Sequence, residues 1–262
     1  MNFQRLPSYL KYILFSRHRT GHGIHSPFVF KLVTTVLCSE KGKAVAAKVE
    51  KVRKELLADE RILSFNDPGS GSSSGNARMA KISAIAARSP VPRKYGQLLA
   101  AMAEEFGGIL IIELGTSVGI STMYMAEACR SARVVTVEGV PEIADIARAN
   151  FENAGLTNIT VINGLFDDVI PELEKNYACP GLVFIDGHHR KEPVIRYFER
   201  IAGMSGPSTV VIVDDINHSS EMAEAWEEIK KHKKVSVTID LFRLGVCFFR
   251  DGIAHNNYVI RY

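Results

Sequence analysis

The sequence predicts an α/β protein: a doubly wound, mainly parallel sheet of seven strands whose last pair is an antiparallel hairpin, preceded by a mainly helical N-terminal extension. Three observations carry that expectation. From residue 109 onward, short apolar runs alternate with stretches of helical periodicity, the pattern of repeated βα units. Several of those runs are apolar at every position, as strands covered on both faces must be. Towards the C-terminus the pattern gives way to alternation of apolar and polar residues on either side of a glycine-containing turn.

Taken in order, Gly108-Ile-Leu-Ile-Ile-Glu113 is the first strand of this domain, and residues 118–130 follow with Ile120, Met123, Tyr124 and Ala128 at helical spacing. Residues 133–138 make the second strand. The next helix is marked by Pro141 near its first position, by a stripe of Ile143, Ala147, Phe151 and Ala154, and by Gly155 as its stop. Residues 158–162 form the third strand, and a short helix is expected over 168–175. Residues 181–186 and 209–213 are the fourth and fifth strands. Ser219 or Ser220 caps a helix that buries Met222, Trp226 and Ile229. Val235, Val237 and Ile239 alternate with polar residues, and residues 244–249 return after the turn to close the hairpin.

Residues 1–95 are less regular. Helices are expected near 8–15, 28–37, 43–57 and 76–88, with a Gly/Ser-rich loop or lid over 67–75. The organisation is therefore a basic, mostly helical extension or cap, 1–95, before a ligand-binding domain, 96–262.

Composition narrows the function classes. With 46% hydrophobic and 23% charged residues, the chain of 262 residues has the apolar mass for a full core, which excludes a disordered, collagenous or disulfide-stapled protein. The longest charge-free run, fourteen residues from 153 to 166, falls short of the roughly 18 apolar residues that a spanning helix needs. Arg5, Lys11, Arg17 and Arg19 are dispersed through the N-terminal apolar residues with no small-residue cleavage site, so no signal peptide is read and a cytoplasmic location is expected. Cys38, Cys129, Cys179 and Cys247 form no CxxC pair and are expected to be reduced. The net charge of +3 divides unequally: residues 1–100 carry +11 and the remainder −8. Such a split is compatible with nucleic acid on the basic side, or with two segments that attract each other.

The chemistry concentrates at Glu113-Leu-Gly-Thr-Ser-Val-Gly119, where the first strand of the domain turns into a helix. Gly115 and Gly119 let the backbone approach a ligand, and the helix N-terminus favours an anionic group. Glu138 ends the next strand, where an acid accepts hydrogen bonds from ribose hydroxyls. Together they point to an adenosine ligand. A dinucleotide is not supported, because Ser117 stands where GxGxxG has its second glycine.

These residues resemble the class I S-adenosylmethionine-dependent methyltransferases, and within them the catechol and caffeoyl-CoA type O-methyltransferases, which have a Rossmann-like fold. The likeness runs through Glu113-Leu-Gly-Thr-Ser-Val-Gly-Ile-Ser121, Glu138, Asn163-Gly-Leu-Phe-Asp-Asp168, Phe184-Ile-Asp-Gly-His-His-Arg190 and Val213-Asp-Asp215. Residues 1–95 resemble the extension of a less characterised bacterial subgroup that carries a similar Gly-Ile-His-Ser-Pro-Phe run, here 23–28. The resemblance implies S-adenosyl-L-methionine as cofactor. Gly115, Thr116 and Gly119 would pass beneath its methionine part, with Glu113 and Ser117 of the same loop in the binding set. Ser121 would hold its carboxylate, Glu138 its ribose, and Gly164 and Leu165 would border adenine.

In those families an Asp after strand four and an Asp-Asn pair after strand five bind a divalent metal such as Mg2+. The matching residues here are Asp186, Asp214 and Asp215, so the resemblance implies a metal held by three carboxylates, with Asp215 in the place of Asn. Uncompensated, those carboxylates would repel one another. Asp186 also belongs to the implied cofactor set and, with His189, to the catalytic one. The families place a Lys three residues beyond the strand-four Asp; His189 stands there, and an imidazole with an ordinary pKa near 6.5 can accept an acceptor's proton at neutral pH. The alternative is that His188 and His189 only shape the cleft.

His18, His22 and His25 are spaced as a helical metal site would be, but Gly21, Gly23 and Pro27 break any helix there; they belong to a basic loop. Asn217 and His218 either touch substrate or start the next helix. The leading functional reading is methyl transfer from S-adenosylmethionine to an oxygen of a small molecule. Methylation of tRNA or another nucleic acid, and a non-catalytic cofactor-binding interaction module, are the alternatives. The acceptor and the oligomeric state, a homo-oligomer included, are left open.

Overall fold

Apolar runs become strands and amphipathic stripes become helices in the computed structural model, which describes residues 6–16, 21, 23–40, 42–66, 78–88 and 91–262. His18, His22 and the 67–75 loop lie outside the described residues. The chain divides into two compact units, Met1–Ser39 with Glu174–Tyr262, and Glu40–Leu173.

In the first unit, α1 (Leu6–Phe15) is followed by α2 (Pro27–Leu32), which continues as a π-helical segment, Val33–Leu37. The Ser26 hydroxyl accepts the Val29 N–H, and Pro27 occupies a first-turn position where no donor is needed.

The second unit opens with α3 (Gly42–Leu57), then the antiparallel pair β1 (Ile62–Phe65) and β2 (Arg78–Lys81), then α4 (Ile82–Arg88) and α5 (Arg93–Phe106). The helix expected over 76–88 therefore begins only at Ile82. Arg78–Lys81 pairs with β1 instead, a partnership across sequence that local periodicity does not express. Three parallel strands follow in the order β3 (Leu110–Leu114), β4 (Arg133–Glu138), β5 (Ile159–Asn163), with α6 (Ile120–Ala128) and α7 (Pro141–Asn153) between them. All five residues of β3 are buried. The register sets Leu114 opposite Val137 and Glu138 opposite Asn163, so the loops that leave β3, β4 and β5 emerge at one end of this block.

Helix α8 (Phe166–Asn176) leads out of the second unit. The first unit then contains β6 (Leu182–Ile185), α9 (Lys191–Met204), β7 (Val210–Val213), α10 (Ser220–Ile229), β8 (Val237–Asp240), β9 (Gly245–Phe248) and β10 (Asn256–Val259). Its strands run in the order β10-β8-β9-β7-β6. β6 and β7 are parallel and wholly buried; β9 is antiparallel to both β7 and β8. The expected hairpin is thus β8 with β9. Beyond the seven expected strands stands an eighth, β10, parallel to β8. Its half-exposed Asn-Asn-Tyr-Val sequence has no apolar run to announce it. All four cysteines are free. Among the described residues, no helix is long and apolar enough to cross a membrane.

Candidate active site

The second unit supplies a glycine loop and an acid. After β3 the backbone N–H groups of Gly115 and Thr116 both donate to Val137 O, at 3.0 and 3.1 Å, which pins the loop to β4. Gly115, Ser117 and Gly119 take left-handed φ values of 109°, 47° and 88°. At Gly119 a side chain is doubly excluded, because a Cβ would lie 2.4 Å from Phe151 Cε1 of α7. Asn150 of the same helix donates to Val118 O at 2.9 Å. The loop is therefore held from β4 below and from α7 at its side.

Glu138, at the end of β4, is fixed by two backbone donors. Its Oε2 accepts the Ser117 N–H at 2.8 Å and its Oε1 the Val140 N–H at 3.0 Å. Gly164 N donates to Glu138 O at 3.0 Å, and Asn163 Nδ2 to the same oxygen at 2.8 Å, which ties the Gly164-Leu165 turn to Glu138.

Glu113 is fully buried beneath the loop. Its Oε2 accepts from the hydroxyls of Thr122 and Thr136, the latter at 2.6 Å. Thr136 in turn shares a 2.6 Å bond with Thr116. Oε1 finds no hydrogen-bond partner among the described residues, although Ser121 lies nearby. Burial pushes the carboxyl up to about 7, against the opposite pull of the hydroxyls. The sequence motif marked Glu113; it did not mark Thr122 and Thr136, which come from α6 and β4.

The first unit brings together a separate group of side chains. Asp186 follows β6, and Asp214 and Asp215 follow β7. His189 Nε2 lies 3.7 Å from Asp186 Oδ1, and His218 Nδ1 lies 3.5 Å from Asp215 Oδ2. The two imidazoles stack with centroids 5.8 Å apart. His188, His189 and Asp215 all have positive φ, at 63°, 31° and 52°, a strained geometry that collects at functional sites. Two acid–imidazole pairs thus face one another.

Asp214 is not available in the way expected. It is 1% exposed, and Arg243 from the β8–β9 turn takes both carboxylate oxygens: Nε to Oδ1 at 2.8 Å and Nη2 to Oδ2 at 2.6 Å. Asp215 N donates to Oδ1 as well, at 2.7 Å. Burial works against charge on both partners, raising the Asp214 carboxyl. For Arg243, the bonds to Asp214, with the nearby Asp215 and Asp186, outweigh that burial and hold its pKa above the ordinary arginine value. Among the described residues, no group of three or more His, Cys, Asp and Glu side chains is placed to hold a metal ion. The three residues implied as a metal set differ in their surroundings: the Arg243 guanidinium takes both oxygens of Asp214, whereas Asp186 and Asp215 lie beside imidazoles. The sequence reading missed Arg243; the signal that could have found it is that three neighbouring acids need a cation, which Arg243 in the hairpin turn offers.

Residues 112–216 match a family described as a methyltransferase domain. A catechol O-methyltransferase of Sus scrofa is 35% identical over 133 residues, 48% of this chain and 70% of that protein. One of Niastella koreensis is also 35% identical, over 49% of this chain and 57% of its own length. The chain thus spans little more than half of the Niastella relative. An O-methyltransferase from Bacillus cereus, solved in complex with SAH, is similar in fold, with a TM-score of 0.57 at 24% identity over 84% of this chain and 97% of that one. TomG from Streptomyces achromogenes, an O-methyltransferase solved with SAM, is similar at a TM-score of 0.54 and 19% identity, over 85% of this chain and 95% of that one. With the glycine loop, Glu138 and the β-strand order already in place, these likenesses settle the family: the chain belongs to the class I S-adenosylmethionine-dependent O-methyltransferases, the family of the catechol O-methyltransferases.

Proposed function

We propose that this chain transfers the methyl group of S-adenosylmethionine to an oxygen of a small molecule. The observation that carries the reading is Glu138: a carboxylate locked by two backbone N–H groups at a strand end, beside a glycine loop, is an acceptor preorganised for a pair of ribose hydroxyls. The buried Glu113 carboxyl, whose Oε1 lies beside Ser121, adds an acceptor suited to a cationic donor such as the ammonium of the methionine part. Gly115, Thr116, Ser117 and Gly119 give that part close backbone approach, Ser121 meets its carboxylate, and Gly164 and Leu165 border adenine. Bound S-adenosylmethionine supplies a methyl group on a positively charged sulfur.

The acceptor side falls to Asp186 and His189. With Nε2 turned to Asp186, His189 takes the acceptor's hydroxyl proton on Nδ1, and the Asp186 carboxylate balances the imidazolium that results. Because the curated relatives are named catechol O-methyltransferases, a phenolic hydroxyl is the acceptor class to test first. The four free cysteines suit a reducing cytoplasm. Residues 1–95, ahead of the 96–262 methyltransferase domain, are proposed to shape acceptor choice, since acceptor pockets are built by what varies around a shared fold.

Calorimetry with S-adenosylhomocysteine tests the cofactor: binding is expected, and Glu138→Ala should weaken it by about two pK-scale decades, roughly 3 kcal/mol for lost charge-assisted bonds. Absence of binding by the unaltered protein overturns the reading. Labelled methyl groups offered with a cell extract should appear among small molecules; label confined to RNA would move the reading to nucleic acid.

A further inference from the structure

We propose that the guanidinium of Arg243 stands in this chain where a divalent cation would otherwise sit, so that methyl transfer here is metal-independent. The inference rests on the methyltransferase reading for its chemistry, and on the geometry of the first unit for its substance.

Three carboxylates, those of Asp186, Asp214 and Asp215, gather where β6 and β7 end, and something positive must offset them. A metal would need several of their oxygens at once. Arg243 has already taken the most buried pair in a two-pronged arrangement, at 2.8 and 2.6 Å. Its Nε also lies 3.8 Å from Asp215 Oδ1. The planar fork matches a carboxylate edge, and its bonds are of the strong, charge-assisted kind.

The turn that carries Arg243 is itself anchored. Ile216 N, just beyond Asp215, donates to Arg243 O at 3.0 Å, and Asn217 Nδ2 donates to Phe242 O at 2.8 Å. Phe242 holds a φ of 70°, stabilised by its N–H to Asp240 Oδ1 at 2.7 Å. The loop after β7 and the β8–β9 turn therefore fix one another, and the guanidinium is delivered to Asp214 by backbone on both sides. Expelling it for a metal would break two charge-assisted bonds from a part-buried guanidinium, a cost that disfavours exchange.

The remaining carboxylates are engaged with imidazoles, Asp186 with His189 and Asp215 with His218. Proton removal from the acceptor thus falls to an imidazole, and Arg243 is a positioning residue that holds the strand-end acids and their histidines in place.

Titration of the intact protein with Mn2+, followed by electron paramagnetic resonance, tests this without any acceptor. The unaltered protein should show no saturable Mn2+ site. Arg243→Gln, which frees the Asp214 oxygens of the guanidinium, should gain a saturable site, with at least about tenfold more Mn2+ bound than by the unaltered protein at the same free concentration. Arg243→Lys keeps the charge and should not gain it, which separates charge from folding. Methyl transfer by the unaltered protein should persist in excess EDTA. Saturable Mn2+ binding by the unaltered protein that Asp186→Asn or Asp214→Asn abolishes would overturn the proposal, as would activity lost in EDTA and restored by Mg2+. Should no acceptor be methylated at all, the function reading fails while the Mn2+ titration still decides the role of Arg243.

Discussion

A carboxyl group with no water around it must find hydrogen bonds in the protein or keep its proton, and Glu113 does part of each. Thr122 and Thr136 serve one oxygen, and burial still pushes the group up to about 7. An acid whose folded pKa lies above its unfolded value binds more protons folded than unfolded between the two, so stability falls as pH rises through that window. The window runs from the ordinary glutamate value of 4.5 to about 7. The loss on crossing it is on the order of 3 kcal/mol. Urea unfolding of Glu113→Gln and of the unaltered protein between pH 5 and 8 should show the variant gaining relative stability as pH rises; a difference that stays constant would mean that the carboxyl ionises freely. Gly119 fails differently. Gly119→Ala forces a side chain onto a φ of 88° and a Cβ to 2.4 Å from Phe151, and should cost about 2–3 kcal/mol in a thermal melt. Phe151→Leu in the same chain should recover part of that cost, the coupling expected of residues in contact. The positions of Glu113, Gly119 and Glu138 were legible because a glycine loop between a strand and a helix, and an acid at the next strand end, are marked by residue type and spacing. Thr122, Thr136 and Val140 were not, because a hydroxyl or a backbone N–H becomes a partner only once its element has folded into place.

Strands β3, β6 and β7 could be read from sequence because burial on both faces leaves an unbroken apolar run. β10 could not, since its outer half is polar and exposed. Its hold on the sheet comes from specific bonds: Thr238 Oγ1 to Asn257 Oδ1 at 2.6 Å, the ladder with β8, and Tyr12 of α1. The Tyr12 hydroxyl donates to Ile260 O at 2.7 Å and accepts the Tyr262 N–H at 2.9 Å. Tyr12→Phe leaves the ring in place and removes both bonds, so it should cost about 1–2 kcal/mol. The damage should be local as well, with faster amide hydrogen exchange over residues 256–262 and unchanged exchange in β6 and β7. Equal exchange of the last strand in both proteins would show that the ladder alone secures it. The same reasoning explains Arg243: a turn residue between β8 and β9 has no periodic signature, and its partner lies in another loop of the same sheet block.

At the scale of the whole chain, the boundary at residue 95 follows composition, whereas the compact units follow contacts, and the two criteria weigh different physics. Helical periodicity and positive charge mark the first hundred residues as distinct in kind. Packing joins Met1–Ser39 to Glu174–Tyr262 through pairs more than 200 residues apart in sequence. Phe28 meets Phe248 edge-on with centroids 5.0 Å apart, and the Arg250 guanidinium lies 4.4 Å over the Phe28 ring. Tyr9 packs against Phe242, the neighbour of Arg243, at 5.0 Å. No window along the sequence expresses such pairs, so this part of the architecture was beyond reach of periodicity. It has an energetic consequence. Aromatic contacts and the Tyr12 bonds together amount to about 5 kcal/mol, which for a chain of this length is about 10–20 °C in melting temperature. Removing residues 1–39, which also takes away the buried Val29, Leu32, Val33 and Val36, should lower the melting temperature by at least that amount or lead to aggregation, as the aromatic faces of β9 and the β8–β9 turn lose their cover. The full-length double variant Phe28→Ala/Tyr12→Phe should reproduce part of the drop, the share carried by the Phe28 ring contacts and the Tyr12 bonds. A truncated protein that melts where the full chain melts, and stays monodisperse by size-exclusion chromatography, would mean that the N-terminal helices rest on the C-terminal strands without stabilising them.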